Sequence, residues 1–282
     1  MAQINTILFA TDFSENSNHA FPYATALAKA FKAKIVLMHV EEPGESDPAN
    51  PEHSFKSLED YDGEVETERV VIRGHAPYKH ILELSRKKNC DLIVMATHGH
   101  SALSQFFLGG STAEEVSRFS TIPVFIVKTG EDATPENYTG RLKEILFPTD
   151  FSEAAKQAFA PAATFAKKFG AHLFVLHSIE EDSQDFYAEL GLAGDNLKAD
   201  VGAYLQSHIA SLPDADAVTS YHVTEGKAES EILQFIEAQG IDLVAIATQG
   251  HSGIQEDLIG STTDRIIRQA PCPVLTVRGY NQ

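Results

Sequence analysis

The chain opens on a short, wholly apolar run at residues 7–10 and passes into a stretch where Ala20, Ala24, Leu27, Ala28 and Phe31 recur at helical spacing. Ser14 stands where a helix N-cap is wanted, so the pattern predicts a strand followed by a helix. Residues 35–40, 65–72, 92–96 and 123–127 are further segments of strand character, and helices are predicted over 77–88 and after Ser111. Strands that alternate with helical segments across short loops predict an α/β fold: a doubly wound parallel sheet of about five strands, covered on both faces.

The pattern then repeats. TILFATDFSE at 6–15 returns as EILFPTDFSE at 144–153, an offset of 138. DLIVMATHGHS at 91–101 returns as DLVAIATQGHS at 242–252, offset by 151, and GSTA with IPVFIV returns as GSTT with CPVLTV, offset by 150. The second copy therefore carries 13 extra residues in its middle and one fewer in its glycine loop. A repeat of this kind sets a domain boundary by itself. Residues 129–141 are rich in turn formers and poor in apolar residues, which reads as a linker, so domains are expected over 1–128 and 142–282. Pro22 and Pro161 fall inside the first helix of each copy and predict a kink there. The middles differ. Residues 195–212 offer a full helix with Leu197, Val201, Tyr204, Leu205, His208 and Ile209 on related faces, whereas 41–63 is rich in Pro, Gly and acid and predicts a helix lost or reduced to a turn.

Composition narrows the function classes. The 282 residues suit two domains, each able to bury a core, and 43% hydrophobic with 22% charged residues excludes wholesale disorder. No apolar run approaches a membrane span, and residues 1–5 lack the features of a signal peptide, so a soluble, cytoplasmic protein with no membrane partner is expected. Forty acidic against 22 basic residues leave a formal charge of -18, which makes nucleic acid a poor partner. Small phosphorylated ligands remain admissible, because that repulsion decays over a Debye length of about 8 Å. Cys90 and Cys272 sit beside apolar sequence outside any metal spacing and read as buried thiols.

In an open parallel sheet, ligands bind where loops leave the carboxyl ends of the strands, and the distinctive residues fall there. Thr11-Asp12 and Thr149-Asp150 follow the first strand of each copy. Ala96-Thr-His-Gly99 and Ala247-Thr-Gln-Gly250 follow the fourth, in loops that end at Gly110-Ser111-Thr112 and Gly260-Ser261-Thr262 just before a helix. Glycine admits a phosphate close to the backbone, a helix N-terminus presents free amides, and a serine or threonine there can cap the helix and also donate to the ligand.

With these residues in place, the sequence resembles the universal stress protein family in a tandem arrangement. The adenine-nucleotide signature of that family is a glycine, two residues, a glycine, nine residues, then glycine with serine or threonine. The second copy departs from it only at Ala247; the first departs twice, at Ala96 and in having ten residues before Gly110, or nine before Gly109. His100 and His251 stand where the family commonly has a basic residue, which weakens phosphate attraction at neutral pH. The resemblance implies an adenine-nucleotide site, for ATP or AMP with Mg²⁺ as an accompanying ion. It maps onto Thr149, Asp150, Ile179, Ala247, Gly250, His251, Gly260, Ser261 and Thr262, with Asp facing ribose or base, the second strand's end touching adenine and the glycine loop holding phosphates. The counterparts in the first copy are Thr11, Asp12, Val40, Ala96, Gly99, Gly110, Ser111 and Thr112. The resemblance also implies pairing of the terminal strands, at 124–127 and 274–277, into an internal pseudo-dimer, with a homodimer left open.

Blander alternatives stand beside these assignments. Asp12 and Asp150 are compatible with helix caps or turn ends, and Gly99 and Gly250 with ordinary strand exits. His39, His98 and His100 invite a metal, but no further ligand is fixed by spacing and Gln249 replaces His98 in the second copy, so no metal site is expected. The acidic run 180–182 reads as a solvated loop. No GxxxxGK(S/T), GxSxG or HExxH motif marks a catalytic centre, so turnover is expected to be slow ATP hydrolysis at most. The function expected is a nucleotide-binding stress-response module with an unidentified protein partner; the alternatives are a nucleotide-independent scaffold and a weak ATPase.

Overall fold

The computed structural model of the chain describes residues 3–41, 55, 65–97, 112–128, 141–181, 183–192, 196–250 and 259–279. The chain divides into two units, one ending at Arg141 and the other beginning at Leu142. The expected first-copy turn at 41–63 lies, apart from Glu41 and Phe55, outside the described residues, as does the linker up to residue 140.

In the first unit the elements run β1 (Thr6–Thr11), α1 (Glu15–Phe31), β2 (Lys34–Glu41), β3 (Thr67–Arg73), α2 (Pro77–Lys87), β4 (Leu92–Thr97), α3 (Thr112–Phe119) and β5 (Val124–Lys128). Its strands are ordered β3-β2-β1-β4-β5, and β1 pairs parallel with both β2 and β4. The second unit runs β6 (Glu144–Pro148), α4 (Glu153–Phe169), β7 (His172–Ile179), α5 (Gln184–Glu189), α6 (Leu197–Ala210), β8 (Val218–Glu225), α7 (Ala228–Gln239), β9 (Leu243–Ala247), α8 (Ser261–Gln269) and β10 (Val274–Val277). Its order is β8-β7-β6-β9-β10, again all parallel. The fold is therefore the expected α/β one, and the longer middle of the second copy carries α6, close to its expected span.

Apolar runs become central strands because a parallel sheet is covered on both faces. Every residue of β1 and of β9 is buried. Helices α1 and α4 lie close to the sheet through small side chains: Ala20, Ala24 and Ala28 in one, Ala155, Ala158, Ala162 and Ala166 in the other. Aromatic pairs fill the remaining space, Phe9 with Phe21 at 5.0 Å between ring centroids and Phe147 with Phe159 at 5.4 Å. Ser14 and Ser152 cap the two helices by accepting from the backbone N–H of Ser17 and Ala155. Pro22 and Pro161 lie inside helices that continue on both sides of them.

The aspartate that opens each of the repeated segments at 91–101 and 242–252 has a defined role. Asp91 Oδ2 accepts from the N–H of Asn5 at 2.7 Å and of Thr6 at 3.0 Å; Asp242 Oδ2 accepts from Lys143 at 2.7 Å and Glu144 at 3.0 Å. Each carboxylate thus ties the start of the fourth strand to the start of the first and secures their adjacency. Cys90 and Cys272 are both buried and free, and burial pushes the Cys90 thiol up to about 11, far from a reactive thiolate. Among the described residues no helix is long and apolar enough to cross a membrane.

Candidate functional site

In the second unit the chain moves from β6 to β7 and β8 on one side and returns to β9 and β10 on the other, so the topological switch point lies between β6 and β9. The loops leaving those two strands carry Thr149-Asp150 and Thr248-Gln249-Gly250. After β6 the backbone turns sharply. Phe151 adopts a left-handed φ of 66°, its N–H donates to Thr149 Oγ1 at 3.2 Å, and the N–H of Ser152 donates to Asp150 Oδ1 at 3.0 Å. Asp150 is therefore a turn acceptor, while the helix cap itself is Ser152.

The other carboxylate oxygen meets the glycine loop. A Cβ placed on Gly250 would lie 2.6 Å from Asp150 Oδ2, so only glycine lets the backbone come this near to the carboxylate. Beyond the loop, the Gly260 N–H donates to the Thr248 carbonyl at 2.8 Å and Thr263 Oγ1 donates to the Ala247 carbonyl at 2.7 Å. These two bonds hold the start of α8 against the end of β9. The N-cap of α8 is Gly260 and no side chain among the described residues caps this end, so the capping open to a serine or threonine is not realised there. Ser261 is exposed and Thr262 half-buried in the first turn, whose amides have no acceptor within the helix itself. The Thr248 hydroxyl is 1% exposed by residue and has no hydrogen-bond partner among the described residues. Ile179, at the end of β7, is half-buried, and its carbonyl accepts from the Gly226 N–H at 2.9 Å.

Behind the turn lies a buried histidine. His177 Nδ1 is 2.7 Å from the Thr149 carbonyl, and Nε2 is 2.8 Å from the Tyr187 hydroxyl. Desolvation holds this imidazole below its ordinary 6.5, opposed by the hydrogen bond to Thr149 and by the charge of Asp150. A neutral ring that donates from Nδ1 to a carbonyl must accept at Nε2, so Tyr187 donates there. The phenol is buried and pushed up to about 12 by desolvation and by Glu180. Phe151 lies on the His177 ring with centroids 4.2 Å apart, and Phe186, Tyr204 and His208 complete an aromatic cluster around it.

His208 and His222 are likewise lowered, chiefly by burial. Because the folded histidines resist protons that the unfolded chain accepts near 6.5, stability is fully present above that value and falls as pH drops below it. Between about pH 7.5 and about pH 5.5, the melting temperature of the wild type is expected to fall more steeply than that of His177→Gln. Equal slopes in a fluorescence melt series would contradict this assignment.

The first unit repeats the turn. Phe13 has φ 59°, its N–H donates to Thr11 Oγ1 at 2.9 Å, and Asp12 Oδ1 accepts from the Ser14 N–H at 3.0 Å and hydroxyl at 2.6 Å. His39 Nδ1 is 2.9 Å from the Thr11 carbonyl. Asp12 is exposed where Asp150 is half-buried; Val40 and Ala96 are half-buried at strand ends, and Thr112 begins α3. Gly99, Gly110, Ser111 and His251 lie outside the described residues, as do His98 and His100. Among the described residues no group of three or more His, Cys, Asp or Glu is placed to hold a metal ion. Glu180, expected in a solvated loop, instead accepts from the Ala228 N–H at 2.7 Å and caps α7.

The sequence pattern left Phe151, His177 and Tyr187 out of the candidate set. The first two carried a signal, since Phe13 and Phe151, and His39 and His177, recur at the same offset of 138 as the turn between them. Tyr187 falls where the copies diverge and had none.

Comparison with known proteins agrees with the geometry. The model of the universal stress protein family matches residues 3–128 and again 141–278. A universal stress protein of Methanocaldococcus jannaschii is 28% identical over 145 residues, covering 48% of this chain and 82% of that protein. The crystal structure of a universal stress protein from Archaeoglobus fulgidus shares the fold over 99% of this chain and 100% of its own, with a TM-score of 0.67 at 23% identity. A universal stress protein crystallised in complex with cAMP is 26% identical over 46% of this chain and 100% of its own, with a TM-score of 0.39. With both halves matched in this way, the chain belongs to the universal stress protein family and carries two of its domains in tandem.

Proposed function

We propose that the chain binds an adenine nucleotide, ATP or AMP, mainly in its second unit, and acts as a stress-response regulatory module whose state follows the bound nucleotide. The observation that carries this reading is the approach of Gly250 to Asp150 at the switch point, beside a helix that begins with a glycine cap. Asp150 accepts from ribose or base, Ile179 borders the adenine, and the backbone of Gly250 and the first-turn amides of α8, at Ser261 and Thr262, hold the phosphates. Main-chain donors suit this protein, because a surface of charge -18 otherwise repels an anion. A micromolar site needs about 8 kcal/mol, and three or four charge-assisted hydrogen bonds at about 1.5–3 kcal/mol each, with adenine burial, reach that range.

The test is to denature the purified protein, identify any released nucleotide by chromatography, and measure melting with ATP and AMP, with and without Mg²⁺. Released adenine nucleotide, or a rise of about 5–10 °C at hundredfold excess over Kd, is the expected result. An empty protein whose melting ignores both nucleotides would contradict it.

A further inference from the structure

We propose that Tyr187 is a positioning residue for the Thr149-Asp150 turn, acting through His177. The inference deepens the nucleotide reading and rests on it for its functional consequence, though its structural part stands on geometry alone. The Thr149 backbone is held on both sides by neighbouring residues of β7: its N–H donates to the Leu176 carbonyl at 2.9 Å, and its own carbonyl accepts from His177 Nδ1 at 2.7 Å. The second bond requires the tautomer with hydrogen on Nδ1. The carbonyl, an acceptor only, sets that tautomer, and Tyr187, donating to Nε2 at 2.8 Å from α5, satisfies the remaining lone pair and anchors the ring from its far side.

The chain from Tyr187 to Thr149 is shielded from water. His177 is 5% and Tyr187 2% exposed, so the bonds do not exchange freely for solvent. Phe151 closes the arrangement by packing at a tilt against the same imidazole, which seats the left-handed residue that aims Asp150. In the first unit the corresponding turn keeps the histidine contact, His39 to Thr11. Tyr187 thus gives the second unit a buried hydroxyl that fixes its turn, and with it the acceptor facing Gly250.

Three measurements on the intact chain decide this. In the wild type, the imidazole nitrogen shifts of His177 are expected to report a neutral ring with hydrogen on Nδ1; hydrogen on Nε2 would overturn the proposal. In ligand-free Tyr187→Phe, which keeps the ring, the amides of Phe151 and Ser152 are expected to lose about tenfold in hydrogen-exchange protection relative to Val244 in β9. Unchanged protection, or an equal loss at Val244, would overturn it. Phe186→Leu, which loosens the aromatic cluster but leaves the hydrogen-bond chain in place, is expected to preserve protection at both amides, and loss there would assign the effect to packing. Where the wild type binds ATP, Tyr187→Phe is expected to weaken it about fivefold, and unchanged affinity would overturn the functional part. A wild type that binds no nucleotide removes the function proposed above, while the tautomer and exchange results still decide the positioning role.

Discussion

Valine in place of Gly250 is expected to abolish nucleotide binding by the second unit, raising Kd by at least about 100-fold, with little change in melting temperature. The glycine sits in a loop beyond β9, so neither a strand nor a helix depends on it. Its added Cβ, however, would lie 2.6 Å from Asp150 Oδ2, well inside contact distance. Asp150 has a short side chain already tied to the Ser152 N–H, so either the carboxylate turns away or the loop backs off. Each response separates the ribose acceptor from the phosphate donors, and losing two charge-assisted bonds at about 1.5–3 kcal/mol each gives the stated loss. Because the conflict arises at Cβ, Gly250→Ala is expected to weaken binding as well, by about tenfold. Titration calorimetry on the three proteins measures both effects. Near wild-type affinity in Gly250→Val would mean that the ligand does not use this junction.

The largest stability loss is expected from Gly279→Leu. A Cβ at Gly279 would stand 2.4 Å from both Cα and Cβ of Ala154 and 3.4 Å from its backbone nitrogen. No flexible side-chain end lies there to move aside; the obstacle is the first turn of α4, fixed by the Ser152 cap. Forcing extra atoms into a well-packed contact costs about 1–3 kcal/mol and sometimes more, which lowers melting by about 5–10 °C in a domain of this size. Since Ala154 follows the Asp150 turn by a few residues, nucleotide affinity should fall in the same variant. Denaturant unfolding followed by circular dichroism reads the loss, and a midpoint equal to wild type would show that the two backbones separate at no cost.

What was legible in the sequence depended on whether a contact was local or repeated. The strands, the helices α1 and α4 and their serine caps follow from apolar runs and nearest-neighbour chemistry, and the structure has them where the pattern puts them. The repeat added long-range information: the duplicated aspartates Asp91 and Asp242 are the carboxylates that tie strand starts together, and the duplicated Thr-Asp-Phe-Ser segment is the turn at the switch point. Three things stayed hidden because their partners lie far along the chain. Gly260 rather than a serine is the N-cap of α8, since the fold sets the Thr248 carbonyl where the Gly260 N–H is received. Glu180 leaves the expected solvated run because the N-terminus of α7 arrives beside it from 48 residues away. Tyr187 reaches His177 from a segment where the two copies diverge in sequence, so neither periodicity nor repetition points to it.

If main-chain amides at the end of β9 and the start of α8 receive the phosphates of an adenine nucleotide, their chemical shifts report it. The amides of Gly250, Ser261 and Thr262 are to be followed while ATP is added to the intact chain, with adenosine and inorganic pyrophosphate as separate titrants. Saturable shifts are expected at all three with ATP, smaller ones at Ser261 and Thr262 with pyrophosphate, and perturbation near Asp150 and Ile179 with adenosine. Saturating ATP that leaves Gly250, Ser261 and Thr262 unmoved would contradict it.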